Sequence, residues 1–191
     1  MNSTITLSLS KGILYLSKKP IPKVRLAKMI YLAYKELVIV GYYNINDLEF
    51  IRMPLGPVPV GFEALKSDTD IIITQTDMGL SYNRENYSLR SGVKIDDNRN
   101  YIALLTQVVG RLEKYSTSFL IEISHRDHSW LNHSNGAEYA ITKDDLTSYK
   151  GTGAKLSEEM DNQLIQSKLV EGMKREIVKD STALEYPALY S

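Results

Sequence analysis

The chain has 191 residues, and its 23 Lys and Arg balance 23 Asp and Glu, so nothing global draws it to nucleic acid or to an anionic membrane. Cysteine is absent, which removes disulfides, thiolate metal sites and cysteine nucleophiles together and fits a reducing cytoplasm. The length suits one domain with a proper core, and no apolar run approaches the roughly 20 residues that span a bilayer.

The polar start Met1-Asn2-Ser3-Thr4 lacks the features of an export signal, so a soluble, unexported protein is expected. Residues 5–16 carry Leu9, Ile13 and Leu16 at helical spacing, with Leu7 and Leu14 nearby, and predict a first helix despite several serines. Lys18-Lys19-Pro20-Ile21-Pro22 ends it, because proline cannot continue the hydrogen-bond ladder.

Residues 23–40 give the strongest helical signal. Arg25, Lys28, Lys35 and Glu36 fall on a strip about 100° wide, and almost everything else is apolar. Such a helix belongs in the middle of a domain, with Leu26, Met29, Ile30, Ala33 and Leu37 meeting several neighbours. The first forty residues hold seven basic residues (Lys11, Lys18, Lys19, Lys23, Arg25, Lys28, Lys35) against Glu36 alone. They predict a basic face, either a dock for an acidic surface or a solvated helix face balanced by acids elsewhere.

Gly41-Tyr42-Tyr43-Asn44 stops that helix, and residues 48–53 read as a short strand. The stretch Arg52-Met53-Pro54-Leu55-Gly56-Pro57-Val58-Pro59-Val60-Gly61-Phe62-Glu63 follows. Its three prolines fix φ and push each preceding residue toward an extended backbone, while Gly56 can take angles closed to other residues. A stiff strand-to-helix corner is expected, with a short helix over residues 60–67 and Pro59 at its first position.

Beyond Ser67 the period becomes two. Asp70-Ile71-Ile72-Ile73-Thr74-Gln75-Thr76, a turn at Asp77-Met78-Gly79, then Leu80-Ser81-Tyr82 and Tyr87-Ser88-Leu89 around Asn83-Arg84-Glu85-Asn86 predict a small antiparallel meander leaning on the helices. Asp96-Asp97-Asn98 offers caps for a helix striped by Tyr101, Ile102, Leu105, Val108, Val109 and Leu112 and running to about Tyr115. Ser116, Thr117 and Ser118 break it and cap a second helix from Phe119 to about His125, which leads to Trp130. Residues 132–136 read as a loop, 142–146 as a helical turn and Gly151-Thr152-Gly153 as a joint. Ser157 then caps a last helix, where Ile165, Leu169, Met173 and Ile177 step at four-residue intervals. The chain ends in an aromatic tail with Tyr186 and Tyr190. The fold class is α+β: a mainly helical single domain around a central buried helix, with a small antiparallel meander and a C-terminal helix. Residues 1–150 form the core unit and 151–191 an extension.

Chemistry is sparsely signalled. His125 and His128 at i,i+3, with Asp127, could begin a zinc or iron site, but no further ligand set or second shell accompanies them. The structural account is that Ser124 or His125 bonds the end of its helix and that the Trp130 N–H finds a carbonyl. His125-Arg126-Asp127 lacks the other parts of a kinase site, and no Gly-x-Ser-x-Gly elbow or phosphate-binding loop occurs. The pairs Asp96-Asp97, Asp144-Asp145 and Glu158-Glu159 sit at helix starts, where the dipole explains them. No catalytic residue, cofactor or metal is expected. Thirteen tyrosines against three phenylalanines suit both half-buried sheet positions, such as Tyr42, Tyr43, Tyr82 and Tyr87, and protein contacts. For nucleic acid, only Lys18-Lys19 with Lys23 and Arg25 hints at a positive groove. The proline joint and buried second helix argue against a helix-turn-helix.

Three ordered blocks carry a family resemblance: Leu26-Ala27-Lys28-Met29-Ile30-Tyr31-Leu32-Ala33-Tyr34, Phe50-Ile51-Arg52-Met53-Pro54-Leu55-Gly56-Pro57-Val58-Pro59, and Ile123-Ser124-His125-Arg126-Asp127-His128-Ser129-Trp130. Over about residues 4–130 the sequence resembles the Panacea domain of SocA-like antitoxins. The resemblance implies a non-enzymatic, cytoplasmic antitoxin that binds a cognate toxin, typically encoded beside it. One lineage of that family acts instead as a proteolytic adaptor delivering its toxin to a ClpXP-type protease. A metal-dependent enzyme using His125, His128 and Asp127, and a DNA-binding autoregulator, are the readings from other classes. The segment after about Asn135 departs from the family pattern, either as a toxin-wrapping element or as a closing helix. Expected partner contacts are Leu55, Pro57 and Val58 on the corner and Leu169, Met173, Tyr186 and Tyr190 on the extension.

Overall fold

A computed structural model describes residues 2–78, 83–95 and 98–146. Helix α1 (Asn2–Ser17) is longer than its apolar stripe because small polar residues, Thr6 and Ser10, face inward with their hydroxyls bonded. Thr6 Oγ1 donates to the Val60 carbonyl at 2.8 Å, and Ser10 Oγ donates to the Thr6 carbonyl at 2.7 Å. Strand β1 (Ile21–Pro22) leads directly into helix α2 (Lys23–Ile39), whose first residue follows Pro22. The apolar residues of α2 lie on nearly its whole circumference, and Leu26, Met29, Ile30, Ala33 and Leu37 are buried. It packs on α1 and on helices α3 (Arg99–Leu112) and α4 (Thr117–His125).

The polar strip of α2 departs from expectation. Lys28 and Lys35 are each 1 % exposed, not solvated. Arg25 reaches the C-terminal end of α3, where its guanidinium donates to the carbonyls of Tyr115 at 2.7 Å and Leu112 at 3.1 Å. That places a cation on the negative end of the helix dipole. Three other basic residues of the first forty are answered by acids: Lys11 by Asp68 and Asp70 at 3.0 and 2.6 Å, Lys23 by Glu63 at 3.1 Å, and Lys19 by Glu113 at 3.5 Å.

Among the described residues two three-stranded antiparallel sheets flank the helices. In one, β1 pairs β5 (Asn83–Leu89), which pairs β4 (Ile71–Asp77) from Ile71↔Leu89 to Asp77↔Asn83. Asn83 to Asn86 were expected as a turn and instead continue the strand. The end of this hairpin is exposed from Thr74 to Asp77, and polar side chains are tolerated there on a pleated ribbon. Leu80 to Tyr82 lie outside the described residues. In the other sheet β2 (Glu49–Ile51) lies between β3 (Val58–Pro59) and β6 (Glu138–Ala140). Pro59 is therefore a strand residue, not the first residue of a helix, and it sits on an edge strand where a missing donor costs least. The turn after it is a 3-10 helix, Phe62–Ser67.

Local signals set the later helices as expected. The Asn98 side chain accepts from the Asn100 and Tyr101 amides, and the Ser116 hydroxyl accepts from the Phe119 amide at 3.1 Å, as N-caps do. Tyr42 stacks on Tyr101 with centroids 5.0 Å apart, and Tyr87 is fully buried, so these tyrosines serve the core. Helix α5 (His128–Leu131) closes the described fold with β6 and a helical turn over residues 143–146.

One buried ion pair ties α2 to the α4–α5 joint. Lys35 Nζ bonds Asp127 Oδ1 and Oδ2 at 2.7 and 2.6 Å, and the Tyr31 hydroxyl donates to Oδ2 at 2.5 Å. Burial pushes the Asp127 carboxyl above its ordinary range, with Lys35 and Tyr31 opposing the shift. Removing one partner leaves a buried charge unanswered. Lys35→Ala is expected to lower the urea-unfolding free energy by about 3–5 kcal/mol, whereas Lys35→Met with Asp127→Leu recovers most of it. A loss below about 1 kcal/mol in the single variant would mean that water reaches the pair.

Candidate functional site

The proline corner is the loop of the β2–β3 hairpin, and elements distant in sequence hold it from below and from the side. The Gly56 amide donates to the Met53 carbonyl at 2.8 Å, closing a tight turn. Gly56 has φ +93°, and a Cβ there would lie 2.6 Å from Ser124 Oγ and 2.8 Å from Lys28 Cε. Only a residue without a side chain lets the turn come down on α2 and α4 so closely.

Beneath the turn, Lys28 Nζ donates to the Pro57 carbonyl at 2.8 Å. Burial lowers the Lys28 pKa to about 7. Beside it, the Trp130 indole N–H donates to the Met53 carbonyl at 3.2 Å. The His125 ring stacks on the indole with centroids 3.9 Å apart, and the Arg52 guanidinium lies 4.2 Å from the indole centroid. Burial, followed by the charges of Lys28 and Arg52, pushes His125 down to about 4, so the ring is neutral at pH 7. Its Nε2 is buried without a hydrogen-bond partner. The Arg52 backbone is fixed from outside the hairpin by bonds to Gly136 and Ala137, and its side chain bonds Asn135.

Each family block thus supplies one wall of the site: Lys28 from the first, Arg52 to Pro57 from the second, Ser124 to Trp130 from the third. Ser124 Oγ donates to the Ile121 carbonyl at 2.7 Å, which is the helix-end role foreseen for it. The indole bond to a carbonyl was also foreseen; the carbonyl's owner, Met53 on the corner itself, was not. Sequence reading missed Lys28, Lys35 and Asp145. Asp145 is fully buried and accepts from Ser129 Oγ at 2.5 Å and the Thr142 amide at 2.7 Å. It sits at the start of the helical turn 143–146, as expected, and also ties that turn to α5 through Ser129, which was not.

Of the residues expected to contact a partner, Pro57 is buried, with its carbonyl taken by Lys28, while Leu55 and Val58 are half-buried. Leu169, Met173, Tyr186 and Tyr190 lie outside the described residues, as do Gly151-Thr152-Gly153 and the last predicted helix. The possible metal ligands are not gathered: Asp127 is committed to Lys35 and Tyr31, His125 to the indole stack, and His128 is exposed. Among the described residues no group of three or more His, Cys, Asp and Glu could hold a metal ion. No helix among them is long and apolar enough to cross a membrane.

Helices on two small antiparallel sheets among the described residues define a mixed α+β protein, and its three family blocks converge on a surface turn, not a cleft. A protein-family model described as the antitoxin SocA-like Panacea domain matches residues 26–131, more than half of the chain, and the chain belongs to that family. The match starts at Leu26, so α1 lies wholly outside it, whereas the resemblance was expected from about Thr4. Comparison with curated proteins and with solved structures found no match.

The buried lysine makes stability depend on pH. Between about 7 and its ordinary 10.5 the unfolded chain holds the Lys28 proton and the folded chain does not, so stability rises with pH across that window and falls as pH drops to 7. One proton gives a slope of at most about 1.4 kcal/mol per pH unit. Urea unfolding at pH 7.5, 8.5 and 9.5, values chosen roughly to span the window below the tyrosine range, should show this rise in the wild type and its loss in Lys28→Met. Parallel profiles would mean that Lys28 keeps its proton in the folded state.

Proposed function

We propose that this chain is an antitoxin that neutralises a cognate toxin by covering part of its surface, in the cytoplasm and without catalysis. Membership of the SocA-like antitoxin family is the observation that supports this reading. The convergence of all three family blocks on the corner supports its location: a turn locked from below and from the side is already ordered before binding, which lowers the entropic cost of association. Leu55 and Val58, half-buried beside the turn, are the contacts proposed there, with Leu169, Met173, Tyr186 and Tyr190 as contacts from the extension. Pro57 acts from beneath by keeping the loop in shape.

The toxin is sought among products of the adjacent genes. Co-expression should restore growth to cells poisoned by one of them, the two proteins should copurify, and toxin abundance should not change. Leu55→Asp should weaken the complex about tenfold or more while leaving the free chain's melting temperature within a few degrees. Absence of both rescue and complex would refute the antitoxin reading. Rescue accompanied by disappearance of the toxin, and lost in a protease-deficient host, would refute direct neutralisation in favour of delivery to a protease.

A further inference from the structure

Away from the corner, a groove of about 250 Å³ runs between the end of α1 and the segment that leaves β5. Buried Leu14 and half-buried Leu89 and Val93 form its apolar side. Its rim carries Lys18, Lys19 and Arg90, all exposed. Lys11 and Lys23 sit against carboxylates, but the rim is less well matched. Lys19 lies 3.5 Å from Glu113 and remains 62 % exposed. Among the described residues neither Lys18 nor Arg90 has a carboxylate within 4.0 Å, and Arg90 Nε donates to the Thr69 carbonyl.

The backbone at the rim is also out of the ordinary. Lys18 follows the last residue of α1 with φ +53°, and among the described residues it is the one non-glycine with positive φ. Helices commonly end on such a left-handed residue, but it is usually glycine, because a Cβ is disfavoured there. A lysine at this place sets a long cation on the groove at some expense of backbone comfort.

We propose that this groove docks an acidic segment of the partner protein, with one apolar side chain seated on Leu14, Leu89 and Val93 and flanking carboxylates paired with Lys18 and Arg90. This rests on the antitoxin reading and adds a second contact to it, separate from the corner. A peptide fits better than a nucleic acid. Phosphate binding draws its affinity from many neutralised charges, and this chain has zero formal charge and only three cations around the groove. A pocket of this volume with an apolar floor takes one side chain, and the exposed Tyr15 at its edge can cover it.

The full chain and the toxin from the adjacent gene provide the test, with affinity measured at low and high ionic strength. Lys18→Glu with Arg90→Glu should weaken the complex about tenfold or more at low salt and flatten its salt dependence. Lys18→Gly should weaken it severalfold while leaving the free chain at least as heat-stable as the wild type, a combination that damage to the fold would not give. A wild-type complex that both variants leave unchanged overturns the groove and spares the antitoxin reading. Variants that spare the complex but lose binding to a mixed-sequence DNA duplex likewise overturn it, in favour of nucleic acid. No complex with the wild type overturns both readings together.

Discussion

A buried amine holding a loop carbonyl is the interaction on which the rest of the architecture turns. Lys28 stands on a helix whose surroundings are apolar, and its Nζ has the Pro57 carbonyl at 2.8 Å. An amine in such a place must find an acceptor or cost several kilocalories in lost hydration. Because that acceptor belongs to the corner, the hairpin loop cannot lift away without stranding the lysine. Gly56 makes the contact possible, since any side chain there would collide with Lys28 and Ser124. The prolines then keep the loop from relaxing into other shapes that satisfy the same bond.

Around this contact the fold places other buried polar groups, each with partners far away in sequence. Lys35 and Tyr31 meet Asp127 across 92 and 96 residues. Ser129 and Thr142 meet at Asp145. These bonds need not add net stability, because a well-packed apolar substitute could match a buried ion pair in energy. They fix the rotation of α2 about its axis and the position of the short α5, and so carry Trp130 to the one place where its indole N–H reaches Met53. The aromatic stack with His125 and Arg52 follows from that placement. A rigid surface turn is the result, and such a surface suits protein recognition, for which ordering costs are smallest when the contact region is already shaped.

Much of this was legible in the sequence. The periodicity of α2 and α3, the serine and asparagine caps and the stiffness of the proline stretch are local properties, and local physics set them correctly. The roles of Lys28 and Lys35 are not local. On a greasy helix two lysines in a strip look like a solvated face, and only the three-dimensional placement of Pro57 and Asp127 makes them interior groups. Asp127 itself sits where an N-cap would, yet its side chain turns inward to Lys35. Strands of two or three residues such as β1 and β6 are too short to show a period, so they emerge only from their pairing. Asn83 to Asn86 had turn composition, but their pairing with β4, and that of Asn86 with Pro22 of β1, holds them in the strand. The same limit applies to the groove by α1, whose walls come from segments some seventy residues apart in the chain.

Hydrogen exchange at single-residue resolution on the free, full chain tests the central claim most directly, through the Gly56 amide. If the corner is clamped by Lys28 from below and by α4 and α5 from the side, this amide should exchange only through global unfolding, with the same protection as the core amides of α2. Exchange orders of magnitude faster, with no change in the protection of α2, would mean that the loop opens on its own and that nothing beneath it holds its shape.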